Sequence, residues 1–170
     1  MKVNTTRFGE IEVPDEKVIT FPEGLIGFSS LKKFVVIRHK NSSTLYWLQS
    51  IEVPEFAFLM TFPFVLLADY DPKLNSEYMQ KLGFDDTNIK NAEVYCITVV
   101  PKNPKEMKVN LLSPIVINPD KNLGMQVILD NPDYTVDFEI IKEIEKKLKE
   151  NKNTSKSKET ENVDIKKEAE

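Results

Sequence analysis

The sequence predicts a mainly β fold: a small antiparallel β-barrel-like domain with one short helix, followed by a C-terminal tail that is first helical and then disordered. Short apolar runs separated by Pro and Gly fill the first two thirds of the 170-residue chain. One short helical stripe interrupts these runs, and no aromatic residue, Pro or Gly follows Phe138. Many short strands with little helix are typical of small barrels and sandwiches.

The strand predictions rest on alternating or β-branched apolar segments. Residues 8–13 alternate apolar and polar side chains, as a half-buried strand does, and residues 94–100 are rich in β-branched residues. Residues 109–129 are expected to form a strand, a Pro-Asp-Lys-Asn-Leu-Gly break and a returning strand. The polar residues inside that pair should find internal hydrogen-bond partners; they are Asn110, Ser113 and Gln126. The remaining predicted strands are 18–21, 34–37, 44–49 and 56–61.

A short helix is predicted between the strand at 56–61 and the strand at 94–100. Asp71 is expected to be its N-cap, Pro72 to lie in its first turn and Gly83 to end it. Apolar residues spaced four apart from Leu74 form one stripe along this segment.

The C-terminal region differs in composition from the rest of the chain. We expect a barrel domain at residues 1–137, an amphipathic helix at 138–150 and a disordered charged tail at 151–170. The helix prediction rests on an apolar stripe among Glu and Lys residues, formed by Ile140, Ile141, Ile144 and Leu148. From Asn151 onward the polar composition cannot bury a core.

Composition and charge exclude several classes of protein. The net charge of -4 and the presence of only Arg7 and Arg38 argue against direct nucleic-acid binding, which needs a basic face. No apolar run approaches the roughly 20 residues that span a bilayer, and no apolar signal core follows Met1. A single cysteine, Cys96, indicates a reducing compartment. We therefore expect a cytoplasmic protein with no membrane contact.

Catalytic and metal-binding chemistry is poorly supplied. His39 is the only histidine and is expected to be a surface residue at a strand end. Cys96 is expected to be a small buried thiol. One His and one Cys cannot complete the usual zinc set, so we expect neither an enzyme nor a metal or other cofactor.

Two loops carry side chains suited to protein recognition. In residues 20–28 (TFPEGLIGF), the two glycines demand a shaped turn, with a positive φ expected at one of them. Leu25, Ile26 and Phe28 must either plug the core or meet a partner. Phe64 and Tyr70 lie beside Asp69 and Asp71, and aromatic side chains bordered by carboxylates are typical of protein-binding surfaces. Trp47 is expected to pack in the core.

An ordered set of motifs resembles a known family. The motifs are FGEIEV at 8–13, ITFPEGLIGF at 19–28, YWLQS at 46–50, PEFAF at 54–58, NLLSPIVIN at 110–118 and MQVIL at 125–129. In this order they resemble the flagellar assembly factor FliW family over roughly residues 1 to 135. This chain departs mildly from the family's familiar TANLLAPIVIN, because Val109 and Ser113 replace two of its alanines.

The resemblance implies a function as well as a fold. FliW-like proteins are small β-barrel-like monomers without enzymatic activity. They bind the translational repressor CsrA and relieve its repression of flagellin mRNA, and they also bind flagellin. Occupation by free flagellin releases CsrA, so that flagellin translation is coupled to flagellin secretion.

Three hypotheses follow. The leading one is a regulatory module that antagonises CsrA by protein contact, with candidate contact residues Glu23, Leu25, Phe28, Glu55, Phe64, Asp69, Tyr70 and Asp71. The alternative is a flagellin export chaperone without a translational role, whose apolar groove the 136–150 helix would complete. The third is a β-barrel enzyme or flavin-binding protein, which the lone His and the absence of a phosphate loop disfavour.

Overall fold

The computed structural model describes residues 1–153, and its main element is a closed β-barrel. The strands of this part of the chain are β1 (Lys2–Thr5), β2 (Gly9–Glu12), β3 (Ile19–Thr20), β4 (Lys33–Arg38), β5 (Leu45–Ser50), β6 (Ala57–Thr61), β7 (Glu93–Val99), β8 (Lys108–Val109), β9 (Ile115–Asn118), β10 (Leu123–Gln126) and β11 (Phe138–Glu139). The helices are α1 (Ser76–Leu82) and α2, which runs from residue 140 to 153. The predicted mainly β, barrel-like fold is confirmed.

The barrel closes through one parallel contact. Strands β3, β4, β5, β6, β7, β9 and β10 form the ring, in which β7 pairs with β6 on one side and with β9 on the other. All neighbours are antiparallel except β10 and β3, where Leu123 lies opposite Thr20. Strand direction cannot alternate all the way around a ring with an odd number of strands. One parallel pair is therefore unavoidable, and it is the one junction of the ring that differs from the antiparallel pairing of the predicted barrel.

The interior of the barrel is filled by large apolar side chains. Its fully buried members include Phe21, Phe34, Leu48, Met60 and Ile115. The Phe21 and Phe34 rings meet edge to face with their centroids 5.0 Å apart.

Gly124 allows Phe21 to reach its place in this core. A Cβ at Gly124 would lie 2.4 Å from the Phe21 ring. The sequence assigned Gly124 to the break between two strands, but the glycine lies inside β10. The turn lies earlier, where Asn122 adopts a positive φ of 50°. Glycine inside a strand often marks such a close approach.

Outside the barrel, a hairpin covers one strand. Strands β1 and β2 pair antiparallel, and Val3 and Val13 pack with Val35 of β4 in a second, smaller core. The Arg7 guanidinium lies 4.0 Å from the Trp47 ring centroid. Trp47 is only partly buried beneath this hairpin, so the expectation that it packs in the core is wrong.

Two local predictions about α1 and the 109–118 segment need correction. Asn75, and not Asp71, caps α1, because its Oδ1 accepts a hydrogen bond from Tyr78 N at 2.8 Å. Gly83 ends the helix in the left-handed region, as predicted. The single strand predicted from residue 109 is divided into β8 and β9, since Asn110 Oδ1 accepts a hydrogen bond from Ser113 N and bends the chain.

The chain divides into two compact units. The first comprises Met1–Val99 with Lys108–Phe138, and the second comprises Val100–Met107 with the described residues from Glu139 onward. The sequence placed its boundary at 137 and assigned residues 100–107 to the barrel domain. In the second unit, Ile140 N donates to Met107 O and Lys142 pairs with Glu139 at 2.8 Å.

Helix α2 extends beyond its predicted end. It continues through residue 153, whereas the sequence ended the helix at 150 and began the tail at 151. Its Ile144 and Leu148 side chains are exposed. The rest of the predicted tail, 154–170, lies outside the described residues.

The contact between Phe21 and Gly124 yields a test of the barrel core. We expect Gly124→Ala to lower the free energy of unfolding by about 1–3 kcal/mol, because overpacking a buried site forces neighbours to move. Urea denaturation measures the change. Phe21→Leu removes the opposing ring atoms, so the double variant should lose clearly less than the sum of the two single losses; full additivity would contradict the account.

Candidate protein-binding surfaces

The turn between β3 and β4 is shaped by two glycines. Gly24 and Gly27 have φ values of 67° and 83°, where residues with a side chain are strained. Leu25 N donates to Phe28 O and Phe28 N donates to Leu25 O, which closes a tight loop around Ile26. The sequence predicted positive φ at one glycine, and the structure shows it at both.

This turn sends neighbouring apolar side chains in opposite directions. Leu25 is 3% exposed and belongs to the barrel core, so its predicted role as a surface anchor is wrong for this conformation. Phe28 is 37% exposed and meets the Phe56 and Phe58 rings edge to face at 5.1 and 5.3 Å. Ile26 at the tip is exposed.

Phe28 and its surroundings form the first candidate surface, which we call the turn surface. It comprises Glu23, Ile26, Phe28 and Glu55, the last of which is exposed beside Phe56. Gln126 supports it from β10, since its Oε1 accepts a hydrogen bond from Ile26 N and its Nε2 donates to Ser113 O. Gln126 thus finds the internal partners that the sequence predicted.

Glu23 is already engaged within the molecule. Lys81 of α1 donates to its carboxylate at 2.8 Å and also pairs with Glu77 at 3.0 Å. The pKa of the Lys81 ammonium is raised mainly by its hydrogen bond to Glu23 and to a smaller extent by its hydrogen bond to Glu77. A partner that uses Glu23 must therefore compete with an existing exposed ion pair.

Tyr70 is an internal support for the second candidate surface. Its side chain is 4% exposed, and its hydroxyl donates to Leu111 O at 2.6 Å. Burial is the main reason why the pKa of the Tyr70 hydroxyl is raised, and the neighbouring Cys96 and Tyr134 raise it further. The predicted role of Tyr70 as a surface anchor is therefore wrong for this conformation. Its ring instead packs against Phe64 at 5.8 Å and Tyr134 at 4.6 Å.

The second candidate surface, the acidic surface, surrounds this tyrosine pair. It comprises Phe64, Asp69, Asp71 and Asp133, all of which are exposed. Phe64 is 44% exposed. Asp69 and Asp71 flank Tyr70 in the chain, Asp133 precedes Tyr134, and Asp71 N donates to the Tyr134 hydroxyl at 2.8 Å. The Asp71 carboxylate lies 3.8 Å from the Lys73 ammonium.

The predicted site residues therefore fall into two groups. Glu23, Phe28 and Glu55 lie on the turn surface, and Phe64, Asp69 and Asp71 lie on the acidic surface. Helix α1 contacts the turn surface through the pair of Lys81 and Glu23, and the loop that carries Tyr70 leads into the helix.

Sequence reasoning did not select several residues at or near these surfaces. Tyr134 and Asp133 reach the acidic surface only through long-range contacts, so no local pattern marks them. Ile26 is one of the three apolar residues that the sequence places on the turn, and it is exposed although it is not among the predicted contacts. Ile128 is exposed near α1, where its backbone N donates to the Tyr78 hydroxyl.

The potential reactive groups do not converge. Within residues 1–153, no group of three or more His, Cys, Asp or Glu side chains is placed to hold a metal ion. His39 stacks on Trp47 with ring centroids 6.4 Å apart. Cys96 is fully buried, which raises the pKa of its thiol to about 12. In the same part of the chain, no helix has both the length and the apolar composition needed to cross a bilayer.

The buried thiol gives a pH-based prediction. Because burial raises the pKa of Cys96 to about 12, its nucleophilic thiolate is scarce at pH 8. We expect iodoacetamide to alkylate the native protein far more slowly than the urea-unfolded protein, as measured by mass spectrometry. Equal labelling rates in the two states would show that the thiol is accessible and would contradict this burial.

Comparisons with known proteins agree on one family. The family described as "FliW protein" matches residues 2–140. The chain is 42% identical over 147 residues to the flagellar assembly factor FliW of Ruminiclostridium cellulolyticum, covering 86% of this chain and 98% of that relative. It is 40% identical over 135 residues to the FliW of Heliobacterium modesticaldum, covering 79% and 87% of the two chains.

A solved structure supports the same assignment. A crystal structure of the flagellar assembly factor FliW superposes with a TM-score of 0.76 at 29% identity, covering 82% of this chain and 96% of that one. The resemblance seen in the motifs is thereby confirmed. The chain belongs to the FliW family of flagellar assembly factors.

Proposed function

We propose that this chain is a cytoplasmic regulatory module that binds the repressor CsrA and relieves its repression of flagellin translation. Flagellin binds the same module, so that secretion of flagellin frees it to bind CsrA again. The observation that carries this proposal is that exposed aromatic side chains and carboxylates lie on the same surfaces of a barrel of the FliW family. Such a surface works by contact and needs no catalytic group.

Physical chemistry favours a direct protein contact with CsrA over competition for its RNA. A protein that binds RNA needs a basic surface to displace counterions from phosphates. Carboxylates of the acidic surface, such as Asp69 and Asp71, complement that charge and would steer the encounter. Exposed aromatic side chains such as Phe64 then supply the apolar anchors that dominate binding free energy at interfaces.

Side-chain exposure supports some of the predicted contact residues more than others. Glu23, Phe28, Glu55, Phe64, Asp69 and Asp71 have exposed side chains and remain proposed contacts. Leu25 and Tyr70 are buried, and we assign them the role of holding the turn surface and the acidic surface in place.

Truncation of the exposed aromatic anchors tests the proposal. We expect Phe64→Ala or Phe28→Ala to weaken CsrA binding by about 2 kcal/mol or more if its ring is a hot spot. Isothermal titration calorimetry with purified CsrA measures the loss. Val99→Ala, which truncates an exposed apolar residue outside both surfaces, is the matched control. Unchanged affinity in both Phe variants would exclude these two surfaces as the CsrA contact.

A flagellin export chaperone without a translational role is the second candidate. The observation that favours it is the apolar stripe of α2, where Ile144 and Leu148 are exposed. If this stripe completes a flagellin groove, deleting residues 139–170 should abolish flagellin capture in a pull-down. Replacing Ile144 and Leu148 together with Ser should have the same effect without shortening the chain. Retained capture in both variants would exclude the helix as an essential part of the groove.

A further inference from the structure

An apolar cavity of about 440 Å³ lies next to the acidic surface. The segment between β6 and β7 leaves the barrel, forms α1 and returns, and in doing so covers the outer face of β7 and β9. Val94 and Val116, which are paired across these strands, form the buried floor of the cavity. Its half-buried walls include Leu74, Met79 and Ile89, and the exposed Phe64 ring stands at its edge.

The size and lining of the cavity suit a protein side chain. Cavities that bind small molecules measure about 300–1,000 Å³ and are lined mainly by apolar groups, so a cavity of this size and lining has room for one large apolar side chain. Here the only charged lining residues are Asp71 and Lys73, which pair with each other at 3.8 Å. A nucleotide or flavin would need several donors for its phosphates, and this lining offers one ammonium group.

The charge around the cavity selects the kind of partner. Asp69, Asp71 and Asp133 flank the packed pair of Tyr70 and Tyr134, and Lys73 is the only basic residue in the segments 69–73 and 130–134. Four carboxylates, those of Asp69, Asp71, Asp130 and Asp133, against one ammonium leave these two segments with a charge of -3. A positively charged segment is complementary to this rim, whereas an acidic segment, or a second copy meeting the same rim, would be repelled.

We infer that the cavity receives a large apolar side chain from a basic segment of a partner protein, with the Phe64 ring closing over that side chain and the carboxylates pairing with the flanking lysines or arginines. This inference rests on the proposed function, in which the RNA-binding protein CsrA is the basic partner. It places the apolar anchor of CsrA at the acidic surface.

Filling the cavity is the test, because it removes the space without removing charge. Ala92 lines the cavity, so Ala92→Leu and Ala92→Phe fill it to increasing extents. With the full chain and purified CsrA, we expect the Kd from calorimetry to rise in that order, by about 30-fold or more for Ala92→Phe, as for loss of a hot spot. Thermal unfolding of each variant confirms that the barrel is intact.

Charge neutralisation tests the rim separately. The double variant Asp69→Asn, Asp133→Asn should weaken CsrA binding and flatten its dependence on salt concentration, because fewer charge pairs are screened. The matched control neutralises two exposed carboxylates elsewhere, Glu16→Gln and Asp86→Asn, and should leave both quantities unchanged. An equal effect of the two double variants would show that only net charge matters and would overturn the assignment of the rim.

The outcomes separate this inference from the function on which it rests. If the unaltered chain fails to bind CsrA, the proposed function fails and the inference with it. If the unaltered chain binds CsrA and Ala92→Phe binds equally well, the cavity inference alone is overturned. Loss of flagellin binding in Ala92→Phe, with CsrA binding retained, would overturn the assignment of this cavity to the basic partner.

Discussion

The packing of Phe21 against the bare backbone of Gly124 is the contact on which the closed barrel depends. Phe21 directly follows β3 and Gly124 lies in β10, and these strands form the one parallel junction of the ring. That junction is short, so the buried ring supplies much of the packing that holds it. The same place anchors the turn surface, because the turn that carries Phe28 begins immediately after Phe21, and Gln126 of β10 hydrogen-bonds to Ile26 N.

The two candidate surfaces depend on this frame for their shape. On one side, Leu25 points into the barrel and leaves Ile26 and Phe28 outside. On the other, the buried hydroxyl of Tyr70 is tied to Leu111 O, which fixes the loop bearing Asp69 and Asp71. Surfaces supported from beneath in this way lose little conformational freedom when they bind, and that reduces the entropic cost of association.

The sequence predicted features that depend on neighbours along the chain. Alternating and β-branched runs located the barrel strands, and Gly83 was recognised as the end of α1 because left-handed helix caps favour glycine. The sequence did not predict features that depend on contacts between residues far apart in the chain. Asp71 fits the pattern of an N-cap, but its backbone N donates to the distant Tyr134 hydroxyl, and the helix begins only at Ser76 with Asn75 as its cap. The sequence left open whether Leu25 plugs the core or meets a partner, and barrel closure decides this and gives Gly124 its role. No local pattern reveals that closure. The cavity likewise forms only when the chain between β6 and β7 folds over the barrel.

The central claim is that this chain antagonises CsrA by protein contact at its acidic surface. Fluorescence anisotropy of a labelled flagellin leader RNA bound to CsrA tests it most directly. Our account predicts that adding the full chain lowers the anisotropy to that of free RNA, and that the variant Asp69→Asn, Asp133→Asn does so only at much higher concentration. An anisotropy that stays at the value of the CsrA–RNA complex, or a chain that itself binds the RNA in the absence of CsrA, would contradict the account.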